Sequence, residues 1–187
     1  MTSARRLHHT YADYLRLERD SPIKHEYCDG EIFAMAGGTP EHGALCAEII
    51  SVIRGQLPPG CRVMTSDVKV RIEASDLSTY PDATVVCGPL ERDKEDENSL
   101  TNPRLVVEVT SASSEDYDRG EKLSHYKQLP SVQTVLIVSH KTKRVTVIAR
   151  KGKGWEETEF RSSEVALSTA PSLSLDVDSI YPVLAGM

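Results

Sequence analysis

Sequence patterns typical of helices and of strands alternate along this 187-residue chain, and their order restricts the fold more than any other feature. Apolar residues recur at helical spacing over residues 41–57, whereas residues 68–73 alternate apolar and polar side chains as a half-buried strand does. The β-branched run at residues 104–110 is typical of a strand. The order helix, hairpin, helix, strands, helix, strands predicts an α/β protein with helices packed on a sheet. No linker is visible, so we expect one domain over residues 1–187.

Local signals predict where several of these elements begin and end. Thr10 is a suitable N-cap for a first helix over residues 11–18. Asp29-Gly30, between two short runs compatible with strands, predicts a β-hairpin. Ser114 is a suitable N-cap for a later helix that Pro130 ends.

Composition and charge exclude several classes of protein. No apolar run approaches the roughly 20 residues of a membrane helix, and the N-terminal residues do not resemble a secretory signal. The net charge of -6 counts against a broad basic surface for nucleic acid. The charged run at residues 91–97 is expected to be a solvated loop. The four cysteines have irregular spacings, so we expect reduced, structural cysteines in a cytoplasmic protein: Cys28, Cys46, Cys61 and Cys87.

Two carboxylates in predicted strands are the first candidates for chemistry. Strand alternation places Glu108 on one face with Val106, among otherwise apolar residues, and a charge buried there needs a cation or a partner. Asp82 precedes a predicted buried strand at residues 83–87, and it would approach Glu108 if the two strands were neighbours. A hard cation such as Mg²⁺ would explain both residues, because it binds carboxylate oxygens. A structural ion pair at Glu108 is the alternative.

The helix after Glu108 carries Asp118, Lys122 and Tyr126 at intervals of four residues, so these side chains share one face. Lys122 would contact a phosphate or the attacking water if it leans toward Glu108. The residues alone favour a surface ion pair between Lys122 and Asp118.

Other candidates lie in the first half of the chain. His42 begins the second helix and would orient a water or touch a phosphate, although a capping or packing role fits it better. Glu31 and Glu48 are candidates for a third carboxylate.

Beyond these residues, the ordered motifs resemble a known family. The segments HEYCDGEIFAMAGG, YPDATVV, LVVEVTSASS and LSLDVDSIY, with the Asp-x-x-x-Lys-x-x-x-Tyr helix, are similar to the PD-(D/E)XK nuclease superfamily. They resemble in particular its restriction-endonuclease family Uma-2, formerly domain of unknown function 820. The resemblance spans residues 10–182 and implies a restriction-endonuclease-like core, a central mixed β-sheet flanked by helices.

The resemblance also implies an activity and a site. Asp82 and Glu108 would bind Mg²⁺ or Mn²⁺ for hydrolysis of phosphodiester bonds in DNA. The superfamily pattern places a lysine where this chain has Thr110, and in this family the lysine comes from the following helix, here Lys122. His42 and Glu31 match recurrent family positions near the site.

Three functions follow as hypotheses. The first is an active DNA endonuclease, for which a homodimer would suit the cutting of two strands. The second is a catalytically inactive module with the nuclease fold that binds nucleic acid or protein, and the third is a hydrolase of another phosphoester. Lys69 and Arg71 are candidates for a basic groove beside the site.

Overall fold

The computed structural model describes residues 8–110, 117–167 and 172–181. The helices are α1 (Tyr11–Asp20), α2 (Pro40–Gln56), a π-helical turn (Asp118–Lys122) that continues as α3 (Leu123–Tyr126), and α4 (Val177–Ile180). The strands are β1 (His25–Cys28), β2 (Glu31–Ala34), β3 (Cys61–Thr65), β4 (Lys69–Ile72), β5 (Leu77–Thr79), β6 (Ala83–Cys87), β7 (Ser99–Leu100), β8 (Leu105–Thr110), β9 (Thr134–Ser139), β10 (Val145–Lys151), β11 (Gly154–Phe160), β12 (Glu164–Leu167) and β13 (Leu173–Asp176). The predicted N-cap Ser114 lies outside the described residues.

The strands form a six-stranded sheet, a five-stranded sheet and a two-stranded ribbon. The six-stranded sheet has the order β11-β10-β9-β8-β6-β3, and the five-stranded sheet has the order β2-β1-β5-β4-β7. Strand β8 pairs in parallel with β9 and antiparallel with β6, so the central sheet is mixed. This confirms the predicted fold class.

Strand β8 lies between two apolar layers because its side chains alternate as predicted. Leu105, Val107 and Val109 join a core with helix α2. Val106 faces the other way, into a core built from β4, β5 and α3. Glu108 shares the Val106 face, so the sheet and the layer packed on it enclose the glutamate.

Local signals explain how several elements begin. The predicted N-cap Thr10 forms a capping box with Asp13 at the start of α1, which runs two residues beyond the predicted end. Asp29 and Gly30 both have positive φ angles, of 44° and 84°, which suit the predicted tight turn between β1 and β2. Helix α2 begins with Pro40 directly after its N-cap Thr39, and its first turn places His42 beside Asp82, the residue before β6.

The expectation that all four cysteines are reduced is wrong. Cys61 and Cys87 are cross-strand partners on β3 and β6 and form a disulfide, whereas Cys28 and Cys46 are free. The pairing of β3 with β6 places the two Cα atoms 4.0 Å apart, a proximity that irregular sequence spacing does not reveal.

One expectation about charged residues is also wrong. Strand β4 is buried throughout, so Lys69 and Arg71 do not offer a basic groove. Lys69 Nζ lies 2.5 Å from Asp96 Oδ2, and Arg71 Nη2 lies 2.5 Å from Asp76 Oδ1. The run at residues 91–97 is mostly exposed, as expected of a solvated loop, and within it Asp96 turns inward to pair with Lys69.

Within the described residues, no helix is long and apolar enough to cross a bilayer.

Candidate active site

The antiparallel pairing of β6 with β8 brings Asp82 and Glu108 to the same end of the central sheet. Ala83 is the register partner of Val107. Because the strands are antiparallel, Asp82, one residue before Ala83, lies at the level of Glu108, one residue after Val107. Asp82 Oδ2 accepts a hydrogen bond from the Val109 backbone N–H at 2.7 Å. The condition set by the sequence, that the two strands be neighbours, is met.

Glu108 is held inside the protein by one tyrosine and one lysine. The residue is only 4% exposed. The Tyr126 hydroxyl donates a hydrogen bond to Oε1, and Lys122 Nζ lies 3.4 Å from the same oxygen. Burial raises the pKa of Glu108 to about 8, and the nearby carboxylates of Asp82 and Asp118 act in the same direction, while Lys122 opposes them. The positive charge of Lys122 therefore does not fully offset the burial of Glu108, and a further cation would stabilise the charged carboxylate.

Lys122 is a buried cation shared among three carboxylates. Its Nζ lies 2.8 Å from Glu26 Oε1, 3.4 Å from Glu108 Oε1 and 3.8 Å from Asp118 Oδ1. These carboxylates raise the pKa of the ammonium group although burial opposes them, so Lys122 stays protonated. The interpretation of Lys122 and Asp118 as a surface pair is wrong, because both side chains are buried.

The π-helical turn at Asp118–Lys122 helps to place these groups. A π turn widens the helix and changes the direction of its side chains, and such turns are frequent at functional sites. Asp118, Lys122 and Tyr126 share one face, as their spacing predicted, and this face meets Glu108 in the interior. Tyr126 lies beneath the site and acts on it through its bond to Glu108.

Glu26 is a site residue that the sequence analysis missed. It lies on β1, is buried, and accepts a hydrogen bond from the Thr79 hydroxyl in addition to its ion pair with Lys122. The signal that singled out Glu108, a glutamate inside a short strand, was also present in the segment HEYC.

Glu31 lies farther along the same hairpin face as Glu26. It is the register partner of Cys28, whereas Glu26 is the partner of Phe33. Glu31 borders a neighbouring pocket with Tyr117 and Glu121, not the cavity that contains Asp82 and Glu108. A role for Glu31 stays a prediction.

His42 lies on the other side of Asp82, at the start of α2. Its Nε2 atom is 3.4 Å from Asp82 Oδ2, and its Nδ1 atom is 3.6 Å from the Cys46 Sγ atom. The hydrogen bond to Asp82 raises the pKa of His42, although burial opposes this. Cys46 was expected to be structural, but it borders this polar group.

These side chains surround one open cavity of 390 Å³. Its polar lining consists of Glu26, His42, Asp82, Glu108, Asp118 and Lys122, while Gly37, Gly38 and Met35 form part of its rim. Four carboxylates thus face one lysine and one histidine. Such a surplus of oxygen ligands favours a divalent cation and disfavours the direct approach of a phosphate.

Comparisons with known proteins agree with this architecture. The Uma2 family, described as "Putative restriction endonuclease", matches residues 11–178. The chain is 35% identical over 175 residues to the Synechocystis sp. protein slr1290, covering 92% of this chain and 91% of the relative. It is 29% identical over 155 residues to sll1609 of the same organism, covering 81% of this chain and 86% of that protein.

A solved structure shares the fold. It is titled as a "putative nuclease belonging to DUF820" from Anabaena variabilis, and it superimposes with a TM-score of 0.71 at 20% sequence identity. The match covers 91% of this chain and 96% of the other. The sequence match over nearly the whole chain, on a restriction-endonuclease-like fold, shows that the chain belongs to the Uma2 family.

Proposed function

We propose that this protein is a metal-dependent DNA endonuclease in which Asp82 and Glu108 hold Mg²⁺ or Mn²⁺ and Lys122 contacts the phosphate. The observation that carries the proposal is the convergence of these three side chains on one cavity, from two adjacent strands and the following helix. Membership of the Uma2 family supports a nuclease-like function. The identity of the metal, the DNA substrate and the roles of the three residues go beyond family membership and are proposed here.

The residues present fit a hard divalent cation. Asp82 and Glu108 offer carboxylate oxygens, which Mg²⁺ and Mn²⁺ prefer. Burial raises the pKa of Glu108, so a neighbouring dication would favour its charged form and remove the energetic cost of that charge. When bound, the cation would polarise a phosphoryl oxygen and lower the pKa of a water molecule.

Lys122 supplies the fixed positive charge that the reaction needs. Phosphodiester cleavage builds negative charge on the phosphoryl oxygens, and a preorganised ammonium group stabilises it. Glu26 and Asp118 hold Lys122 in place beside Glu108, so they are positioning residues. This arrangement supports the idea that Lys122 replaces the lysine missing at Thr110.

Two further side chains orient the carboxylates. The Tyr126 hydroxyl fixes one oxygen of Glu108, and the His42 imidazole lies against Asp82. A homodimer would place two such sites on the two strands of a duplex.

The test combines metal binding with a plasmid-nicking assay on the wild type and on Asp82→Asn, Glu108→Gln and Lys122→Met. Glu73→Gln is a matched control, because Glu73 is exposed and does not line the cavity. We expect Mg²⁺ or Mn²⁺ binding to be lost in Asp82→Asn and Glu108→Gln. Nicking should fall in all three site variants and persist in Glu73→Gln.

A second function is favoured by two observations: Lys122 is bound by carboxylates, and the chain carries a net charge of -6. A nuclease-like module that binds a partner without cutting it would have these properties. Wild-type protein that neither binds Mg²⁺ or Mn²⁺ nor nicks DNA at any concentration of these ions would refute the endonuclease proposal and leave this alternative.

A further inference from the structure

A second cluster of ligand atoms lies between helix α2 and Asp82, and it consists of His42, Cys46 and Asp82. His42 and Cys46 are one helical turn apart, so they project from the same face of α2. Asp82, before β6, lies opposite them. The imidazole, thiol and carboxylate ligand atoms all lie within 4.8 Å of one another, and this is the one such group of three among the described residues.

We propose that His42, Cys46 and Asp82 bind a divalent transition-metal ion of the Zn²⁺ class, in a site distinct in chemistry from the all-oxygen Mg²⁺ site. The inference shares Asp82 with the proposed nuclease site but does not depend on nuclease activity.

The ligand set selects this class of ion. Thiolate and imidazole ligands suit Zn²⁺ and Co²⁺, whereas Mg²⁺ prefers oxygen. Three protein ligands with one position open to a cavity are the arrangement of exposed, exchangeable zinc sites rather than closed structural ones. Binding requires that the Cys46 S–H bond break, with the proton released to solvent as the sulfur–metal bond forms; nothing is oxidised or reduced.

Local electrostatics favour a cation at this place, because the carboxylates of Asp82 and Glu108 lie close enough to Cys46 to act on it.

The cluster is accessible and close to the required size. All three residues are half-buried and border an open cavity of 560 Å³. Tetrahedral zinc holds sulfur and nitrogen ligands about 3.5 Å apart, given its bond lengths. The Cys46 Sγ to His42 Nδ1 distance is 3.6 Å, and the His42 Nε2 to Asp82 Oδ2 distance is 3.4 Å. These two contacts use opposite ring nitrogens, so an ion bound to one nitrogen requires His42 or the third ligand to move.

The chain provides a matched control. Cys28, the other free cysteine, also lies beside a histidine, with its Sγ atom 3.8 Å from His125 Nε2. That pair does not belong to a group of three ligand residues among the described part of the chain. Cys28→Ser thus removes a thiol beside an imidazole without touching the proposed site.

The experiment is a titration of the full chain with CoCl₂, followed by competition with ZnCl₂, monitored by absorption. A Co²⁺–thiolate bond gives a near-ultraviolet charge-transfer band that oxygen ligands do not give. We expect the band in the wild type and in Cys28→Ser, its absence in Cys46→Ser, and at least about 10-fold weaker binding in His42→Gln. ZnCl₂ should abolish the band.

The proposal is overturned if the wild type shows no thiolate band, or if the band survives in Cys46→Ser while circular dichroism shows that this variant is folded. Glu108→Gln separates this proposal from the nuclease proposal. A band retained in Glu108→Gln supports the transition-metal site whether or not the wild type cuts DNA. A band lost in folded Glu108→Gln would contradict a site made of His42, Cys46 and Asp82.

Discussion

Replacement of Lys122 by methionine tests the buried charge network most directly. The substitution keeps the length and the apolar stem of the side chain but removes the positive charge that Glu26, Glu108 and Asp118 share. Removing one partner of a buried ion pair costs about 3–5 kcal/mol, because the remaining charge is left in a low-dielectric environment. In a chain of this size, that loss corresponds to a decrease in Tm of roughly 6–20 °C.

The effect of Glu26→Gln on stability should change sign when Lys122 is replaced by methionine. Glu26→Gln should destabilise the wild type, because it weakens the 2.8 Å ion pair with Lys122. In the Lys122→Met background the same change should stabilise the protein, since it removes a buried negative charge that no longer has its cation. The two effects should differ by about 1–3 kcal/mol in a double-mutant cycle.

The assay is urea unfolding at pH 7 in EDTA, under non-reducing conditions, followed by circular dichroism and Trp155 fluorescence. A decrease of less than about 1 kcal/mol in the free energy of unfolding for Lys122→Met, the range of an exposed ion pair, would contradict a buried charge network. The same change in the free energy of unfolding for Glu26→Gln in both backgrounds would contradict it as well.

Three further predictions concern other parts of the molecule. In EDTA, the contribution of Glu108 to the free energy of unfolding should be highest below pH 4.5, the ordinary pKa of a glutamate, and should decrease as pH rises toward about 8, the raised pKa of Glu108. Glu108→Gln should flatten this decrease, and an unchanged slope in the variant would contradict the prediction. Cys87→Ala opens a disulfide that spans 26 residues and should lower stability by about 3 kcal/mol; dithiothreitol should destabilise the wild type by a similar amount and the variant by none. Thr10→Ala removes the capping box of α1 and should cost about 1 kcal/mol; thermal unfolding would show whether the loss instead stays within error.

Sequence reasoning worked best where the physical cause is local. The Asp29-Gly30 turn, the Thr10 cap and the alternation of residues 105–110 depend on backbone preferences and on side-chain direction within one element. Those causes act over a few residues, so they are visible in the chain itself. The central place of Glu108 followed from the same logic, since a charge on a strand with apolar neighbours must meet a partner.

Interpretations that depended on contacts between distant elements fared less well. The residues alone favour a surface pair for Lys122 and a groove for Lys69, yet both are buried and paired with acidic residues from other elements. Glu26 was overlooked because its partner lies 96 positions away in the chain. A buried ion pair leaves no periodic signal, and its residues look like any solvated charge.

The order of the longer helices and strands, the fold class and the residue types available for a metal site can be read from the chain itself. The packing of the whole chain places β6 beside β8, brings Lys122 to Glu26 and Glu108, and joins Cys61 to Cys87. Helix and strand formation is encoded in short-range patterns, whereas strand order and charge burial arise when the whole chain packs its apolar faces together.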